Sequence, residues 1–494
     1  MSLRSAAAGL LACAIAVGAA AGAAAQAVQA ADAPGSTGGA GGSPQAAAQA
    51  EAPALTLREA VLLALENNPS LKAQRLGPPI ARTAVQEQQG FLDPQISVEA
   101  SQSFPGSAAA TGNGASAGLA LSLATGTSIS ASLAAGWDPV SSGYDVELTQ
   151  ALLAGRRLAV NLALVRQALL DAQASEHELR GFTEALVADV QQAYWDHYLA
   201  LRQREIYRES LALAERQLEE SRYRMQVGQI AGIELAAPKA EVTSRREDLR
   251  SGENRAETTR LALLLRISPP DAGLDAPVRL ADAPAPPQGP LDSLARHLAL
   301  GLARRPELLQ ARLQLERGDL EVVRTADGLL PRLDVFLALG GTGYAAAFGG
   351  TFPAAVQGSA LSAGLRLQFP LGNRAAKAQA ERARLTRAQA EQSLVALART
   401  VEADIRTAWL DSTFAAERVS SSAELRALQE EKLAAETEKF RNGTSTTFLV
   451  AQAQRDLLAS RLDEAQAAVD YLLAVVSLYR LEGSLMERSG IAAQ

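Results

Sequence analysis

One cysteine, Cys13, leaves no partner for an internal disulfide. Three histidines, His177, His197 and His297, leave little material for a transition-metal site. Aromatics are only 4% of the chain, and charged residues only 20%. Acids and bases are interspersed around a net charge of −7, so the basic stripe of a nucleic-acid binder is missing. No glycine-rich loop runs into Lys-Ser/Thr, and the carboxylates and hydroxyls stand in no catalytic spacing. These absences argue against an enzyme and imply no cofactor. Beyond the first residues, no segment has the uninterrupted apolar length of a membrane helix. What is present is abundant alanine in 494 residues, room for two or more ordinary domains.

The start reads as an export signal, residues 1–27. Arg4 precedes an apolar run from Ala6 to Ala21, and Ala23-Ala24-Ala25 and Ala25-Gln26-Ala27 offer small-residue cleavage sites. A transmembrane anchor is the alternative, but an alanine-rich run is weakly hydrophobic for a stable span. Leu10-Leu11-Ala12-Cys13 resembles a lipoprotein box with Cys13 acylated. A cysteine inside a discarded signal is favoured, because the apolar stretch before it is short and continues past it. Residues 28–54 are rich in Ala, Gly, Pro and Gln and predict a flexible tether.

From Leu55 the chain reads twice. Asn67-Asn68-Pro69 matches Arg304-Arg305-Pro306, and 306 − 69 = 237. Asp93-Pro94-Gln95-Ile96 matches Leu330-Pro331-Arg332-Leu333, again at 331 − 94 = 237. Gln150-Ala151-Leu152-Leu153 matches Gln368-Phe369-Pro370-Leu371 at 368 − 150 = 218. Val227-Gly228 matches Asn442-Gly443 at 443 − 228 = 215. The drop from 237 to 218 puts about 19 extra residues between Pro94 and Gln150 in the first copy. The expected division is repeat 1 over 55–270, a proline-rich linker over 271–290, repeat 2 over 291–482 and a tail over 483–494.

Each copy has the order short helix, strands, very long helix, turn, shorter helix. Gln95 to Ser101, Ser116 to Leu123, Ser128 to Leu133, Asp145 to Thr149 and Ser362 to Phe369 alternate polar and apolar, the period of a sheet with one wet and one apolar face. Phe91, Phe104, Trp137, Tyr144, Phe336, Tyr344, Phe348, Phe352 and Phe369 fall at the strand windows. A soluble sandwich would need more bulky core residues; apolar-out strands with aromatics near their ends suit a membrane barrel. Gly155 to Gly228 and Asn373 to Asn442 turn helical, at about 70 residues or roughly 100 Å each. A few strands cannot span a membrane alone, since lipid does not satisfy bare strand edges. One hairpin per copy gives four strands per chain, and three chains give about twelve.

This order of parts resembles the TolC-type outer-membrane efflux protein family. The resemblance covers about Leu55 to Gly483. It is carried by Leu55-Thr-Leu-Arg-Glu-Ala-Val-Leu-Leu-Ala-Leu-Glu-Asn-Asn-Pro69, Gly90-Phe-Leu-Asp-Pro-Gln-Ile96, Leu148-Thr-Gln-Ala-Leu-Leu-Ala-Gly155 and Tyr223-Arg-Met-Gln-Val-Gly228, with Leu365-Arg-Leu-Gln-Phe-Pro-Leu-Gly372 and Lys439-Phe-Arg-Asn-Gly443 in the second copy. It implies an α+β membrane protein: a homotrimer with a 12-stranded transmembrane β-barrel continued by a long periplasmic α-helical barrel. It implies a passive duct in the outer membrane of a Gram-negative bacterium, used for efflux or type I secretion. Its partners would be a periplasmic adaptor (membrane fusion protein) and an inner-membrane pump that supplies the energy. Val227, Gly228, Asn442 and Gly443 match the family's tip turns, where the adaptor docks. Glu234, Leu449 and Gln452 match positions of the periplasmic constriction; Glu234 reads equally as a solvated acid at a helix start. The rival reading is a periplasmic coiled-coil structural or adaptor protein, against which stand two helical hairpins, each preceded by strands.

Overall fold

The computed structural model describes residues 54–102, 113–137, 140–267, 273–285, 291–442 and 444–490. The export signal, Cys13, nearly all of the tether, Phe104, Gly443 and parts of the linker lie outside the described residues.

The chain opens on strand β1 (Ala54–Leu55) and helices α1 (Leu57–Asn67), α2 (Pro69–Gln74) and α3 (Gly77–Gln89). Thr56 Oγ1 accepts from Glu59 N at 3.2 Å while Glu59 accepts from Thr56 N at 2.9 Å, a reciprocal cap that starts α1. The expected break at Pro69 is present; a second one, before Pro78-Pro79, went unread in the sequence. Strands β2 (Gln95–Gln102), β3 (Asn113–Ser122), β4 (Thr127–Trp137) and β5 (Val140–Ala151) follow, then α4 (Leu158–Asn161), α5 (Ala163–Gln226) and α6 (Ala236–Ile267). Next come β6 (Arg279–Leu280), α7 (Leu294–Arg304), α8 (Pro306–Asp327), β7 (Arg332–Tyr344), α9 (Phe348–Gln357) and β8 (Ala360–Gln368). Helices α10 (Arg374–Arg441), α11 (Thr447–Leu481) and α12 (Leu485–Arg488) complete the described chain.

Helices α5 and α10 have 64 and 68 residues and no proline. At 1.5 Å rise each is on the order of 100 Å long. No globular core needs such a helix, and each is flanked by two shorter ones. Along the first part of α5 runs α3, packed through Val85, Val165, Ala168 and Ala172. Along its last part runs α6, packed through Ala214, Leu218 and Val242. Arg387 reaches Asp319 of α8 at 2.9 Å near the start of α10. Lys432 reaches Asp456 of α11 at 2.8 Å near its end. Much of the buried surface is alanine (Ala380, Ala383, Ala408 and Ala453 among others), which lets helix backbones approach closely.

The principal core lies midway along α5. Tyr194, Leu199, Leu263, Ile267, Val187 and Val190 meet Val61 and Leu71 there, with Leu485 of α12 in the same cluster. Tyr194 Oη lies 3.0 Å from Leu55 O and 3.2 Å from Asp282 Oδ2, holding the two-residue bridge of β1 and β6 over this core. Burial pushes the Tyr194 phenol up to about 12. A second core gathers Leu308, Val401, Ile405 and Leu478. Beside it, fully buried His297 pairs through Nδ1 with fully buried Glu482.

The large sheet is entirely antiparallel, in the order β2-β3-β4-β5-β7-β8. Among the described residues it has six strands, which corrects the expectation of four per chain. The first copy contributes four strands and the second two. The surplus residues located between Pro94 and Gln150 form an additional hairpin, turned at Gly126 with φ +77°. Phe348 and Phe352, read as strand-window aromatics, lie instead on α9.

His197, buried on α5, contacts Thr259 Oγ1 through Nδ1 at 3.0 Å. Burial lowers its pKa to about 4 from an ordinary 6.5. The unfolded chain therefore binds more protons between those values, and stability present above pH 6.5 drains away as pH falls toward 4. His197→Gln should flatten this part of the pH–stability curve, whose slope in the native protein approaches about tenfold in the unfolding constant per pH unit. Chemical unfolding at pH 4.5 and 7 checks it; an unaltered slope in the variant would contradict the assignment.

Candidate functional site: paired hairpin tips and a two-faced sheet

Two regions carry the features singled out in the sequence. The first is the end of the helices remote from the sheet. There α5 stops at Val227-Gly228. Gly228 sits at φ +77°, its N–H donates to Met225 O at 3.0 Å, and Gln229 N–H donates to Arg224 O at 2.8 Å. That is a glycine-terminated helix end in the left-handed conformation, which glycine adopts without a Cβ clash. No atom lies within 4 Å of where a Gly228 Cβ would stand, so the glycine is there for the turn. Val227 is exposed, as are Tyr223 and Ile233 nearby.

Glu234 is exposed, and its Oε1 accepts from Ala231 N at 3.3 Å, so it caps the start of the return helix. In the second hairpin Thr444 N–H donates to Lys439 O at 2.8 Å, and Ser445 Oγ donates to Glu436 at 2.8 Å. Lys439 Nζ, donating to Glu436 Oε1 at 2.7 Å, and the Ser445 hydroxyl together hold the Glu436 carboxyl below its usual range. Asn442, at φ −84°, ends α10 as its C-cap. Leu449 and Gln452 stand three residues apart on the exposed side of α11, while Val450 and Ala453 are buried.

The two tips are joined. The Arg224 guanidinium lies 5.0 Å from the centre of the Phe440 ring, bridging α5 and α10. Arg455 of α11 reaches Glu241 of α6 at 3.6 Å. Further from the tips an ionic ladder joins α10 to α11, through Arg426 with Glu464 at 2.7 Å and Arg461 with Glu430 at 3.0 Å, and crosses to α5 of the other hairpin through Arg461 with Glu209 at 3.3 Å. Arg461 holds Glu430 below the ordinary carboxylate range. A groove of about 470 Å³ lies beside this ladder, lined by Tyr198, Ile206 and Pro284 as well as the charges. Among the described residues no group of three or more His, Cys, Asp or Glu is placed to hold a metal ion.

The second region is the sheet. Registers run without interruption, so side chains sort cleanly by face. One face carries Ile96 and Val98 on β2, Leu119 and Leu121 on β3, Ile129 and Leu133 on β4, Val146 and Leu148 on β5, Val335, Leu337 and Leu339 on β7, and Leu361, Leu365 and Leu367 on β8. Most of these are more than a third exposed, although apolar. The opposite face carries Ser97, Glu99, Ser116, Ser130, Asp145, Glu147, Thr149, Ser362 and Arg366. On that side Arg366 lies 3.6 Å from Glu147 and 5.1 Å from the centre of the Phe336 ring. Such a surface is unstable in water and stable against hydrocarbon.

Helix α9 covers one end of the apolar face. It rests on Gly341 and Gly343, where an added Cβ would stand 2.2 Å from Ala355 O and 2.0 Å from Thr351 O. Phe352 of α9 meets Tyr144 of β5 with ring centres 6.3 Å apart. Phe348, Phe352 and Val356 recur every four residues and are about half exposed. No helix among the described residues is long and apolar enough to cross a membrane.

Residues 298–484 match the family model described as "Outer membrane efflux protein", which bears out the family resemblance read from the sequence. No curated protein matches the chain. Solved structures with the same fold include the CmeC outer membrane channel of Campylobacter jejuni, 16% identical, over 87% of this chain and 86% of that one, with TM-score 0.65. The open-state MtrE outer membrane channel of Neisseria gonorrhoeae is 17% identical, over 87% and 89%, with TM-score 0.66. The outer membrane protein VceC of Vibrio cholerae is 16% identical, over 86% and 96%, with TM-score 0.66.

The Gly228 turn yields a direct expectation. Gly228→Val must hold a β-branched residue in the left-handed region at a cost of about 1–2 kcal/mol, which should loosen the tip. Amide hydrogen exchange over residues 223–235 should rise several-fold, with exchange around Tyr194 unaltered. Protection equal to that of the native tip would contradict the strain.

Proposed function

We propose that this chain is one protomer of a homotrimeric outer-membrane efflux duct, a passive exit channel built from two internal repeats. The observation that carries the proposal is the sheet's uninterrupted apolar face ending in two unpaired edges, β2 and β8. Hydrocarbon tolerates that face but not the edges, whose N–H and C=O groups need a neighbouring strand. Copies of the same chain supply it and close a barrel whose wet side, with Glu99, Asp145, Glu147 and Arg366, lines the lumen. The long helices adjoin the strands in sequence and extend the duct into the periplasm.

In this reading the tips at Val227-Gly228 and Asn442-Gly443 receive a periplasmic adaptor, and an inner-membrane pump supplies the energy. The exposed Val227, Tyr223 and Ile233 support a docking role for the first tip. The constriction falls to Glu234, Leu449 and Gln452. Glu234 is engaged as a helix cap, so Leu449 and Gln452 carry more of the narrowing, by an apolar and an amide contact rather than an ionic lock. The duct needs no reaction chemistry of its own: its work is to keep a continuous aqueous path, and the protein–protein contacts at its ends decide when cargo enters.

Two measurements test this. The protein should fractionate with outer membranes and run as a heat-sensitive trimer in detergent; a water-soluble monomer without detergent would sink the proposal. Leu449→Ala should raise single-channel conductance in planar bilayers, by up to about twofold if this ring is the narrowest point, and an unchanged current would remove Leu449 from the constriction.

A further inference from the structure

We infer that the membrane wall of the assembled duct has eighteen strands, and that its seam pairs β8 of one chain with β2 of the next, setting Arg366 opposite Glu99. This rests on the trimeric reading above and departs from the twelve strands that the family resemblance implies.

Four observations lead to it. All six strands are hydrogen-bonded into one sheet, so none is a spare segment lying outside the wall. The additional hairpin is tied in at its turn. Asn161 Nδ2 donates to Ala124 O at 2.8 Å and to Gly155 O at 2.7 Å, and Gln150 Nε2 donates to Thr125 O at 3.2 Å. The Gly126 turn thus packs onto the junction where β5 passes into the helices, and an added Cβ there would stand 2.3 Å from Gly155 O. Strand direction alternates from β2 to β8, so β8 and the next chain's β2 are antiparallel, as closure with an even strand number requires. Finally, the edges match. Strand β2 has 8 residues and β8 has 9, and each continues the same division into apolar and polar faces. On the polar face β2 offers Glu99 and β8 offers Arg366, whose side chain is 59% exposed.

The register can be checked against barrel geometry. Ladder partners followed from Gln95 run through Ala120, Ser130, Glu147 and Ala338 to Ser362. Setting Glu99 opposite Arg366 fixes the sum of paired numbers at 99 + 366 = 465, so the ladder that began at Gln95 returns to the next chain displaced by 465 − 362 − 95 = 8 residues. That stagger of 8 residues per chain amounts to about 24 around three chains. With a rise near 3.3 Å and a strand spacing near 4.8 Å, eighteen strands then tilt by about 42°. That lies within the roughly 35–45° of closed barrels. The backbone wall measures about 37 Å across, against about 25 Å for twelve strands at the same tilt. The membrane section is consequently a wide, polar-lined exit, and size selection of cargo falls to the helical end.

Disulfide trapping tests the seam. In the proposed register Ser97 faces Gln368 across the subunit boundary, within reach of a disulfide. The full-length double variant Ser97→Cys with Gln368→Cys, oxidised in isolated outer membranes, should give covalent dimers and trimers on denaturing gels, with neither single variant giving trimers. Strand counting by electron cryomicroscopy of the native trimer should give eighteen. Heat-sensitive trimers that resist trapping, or a wall of twelve strands, would overturn the inference while leaving the duct intact. A protein that forms no trimer at all would instead remove the functional reading beneath it.

Discussion

Hydrogen bonding of the peptide group is the constraint on which the rest depends. A strand surrounded by hydrocarbon has no water to satisfy its backbone, and each unsatisfied group costs several kcal/mol. The sheet meets this demand for the four inner strands and leaves it open along β2 and β8. The apolar face makes the sheet unsuited to water, and the open edges make a single copy unsuited to lipid. In the proposed duct these two features work together: the apolar face favours the bilayer, and the open edges call for a neighbouring strand.

On the helical side the balance differs. Helices satisfy their own backbones, so packing rather than hydrogen bonding sets their arrangement. Contacts dominated by alanine bury little area per residue; the two hairpins meet through apolar packing where Val469 of α11 joins the Tyr194 cluster, and through charged and aromatic contacts nearer the tips. Exposed ion pairs contribute about 0–1 kcal/mol each. Arg426–Glu464 and Arg461–Glu430 therefore set how α10 lies against α11, and Arg461–Glu209 how that hairpin lies against α5, more than they add stability. The strongly packed part is the middle of α5, where Tyr194 and Leu199 meet α1, α6 and α12. The molecule is firm at its waist and lightly held toward its tips.

Much of this could be read from the sequence. Strict alternation marked β2, β3 and β8, because each has a wet and an apolar face. Strand β5 proved longer than its alternating core, since Ser141, Ser142 and Gly143 blur the pattern at its start. The offset change of 19 residues located the additional hairpin, and its two strands were legible as the alternating windows Ser116–Leu123 and Ser128–Leu133; what missed them was the count of one hairpin per copy. Helix α9 was missed because Gly349, Gly350 and Pro353 argue against a helix, although Phe348, Phe352 and Val356 keep a four-residue spacing. Helix ends at Gly228 and Asn442 were legible from local turn chemistry. The Arg224–Phe440 contact was not, since it joins residues more than two hundred positions apart and depends on how the hairpins lie side by side.

That contact has a mechanical consequence. A guanidinium over a ring face, seconded by Arg455 against Glu241, clips the two loops of one subunit together where packing is thinnest. A force applied to either loop is shared with its twin, so the subunit's end swings as a single jaw rather than as two independent fingers.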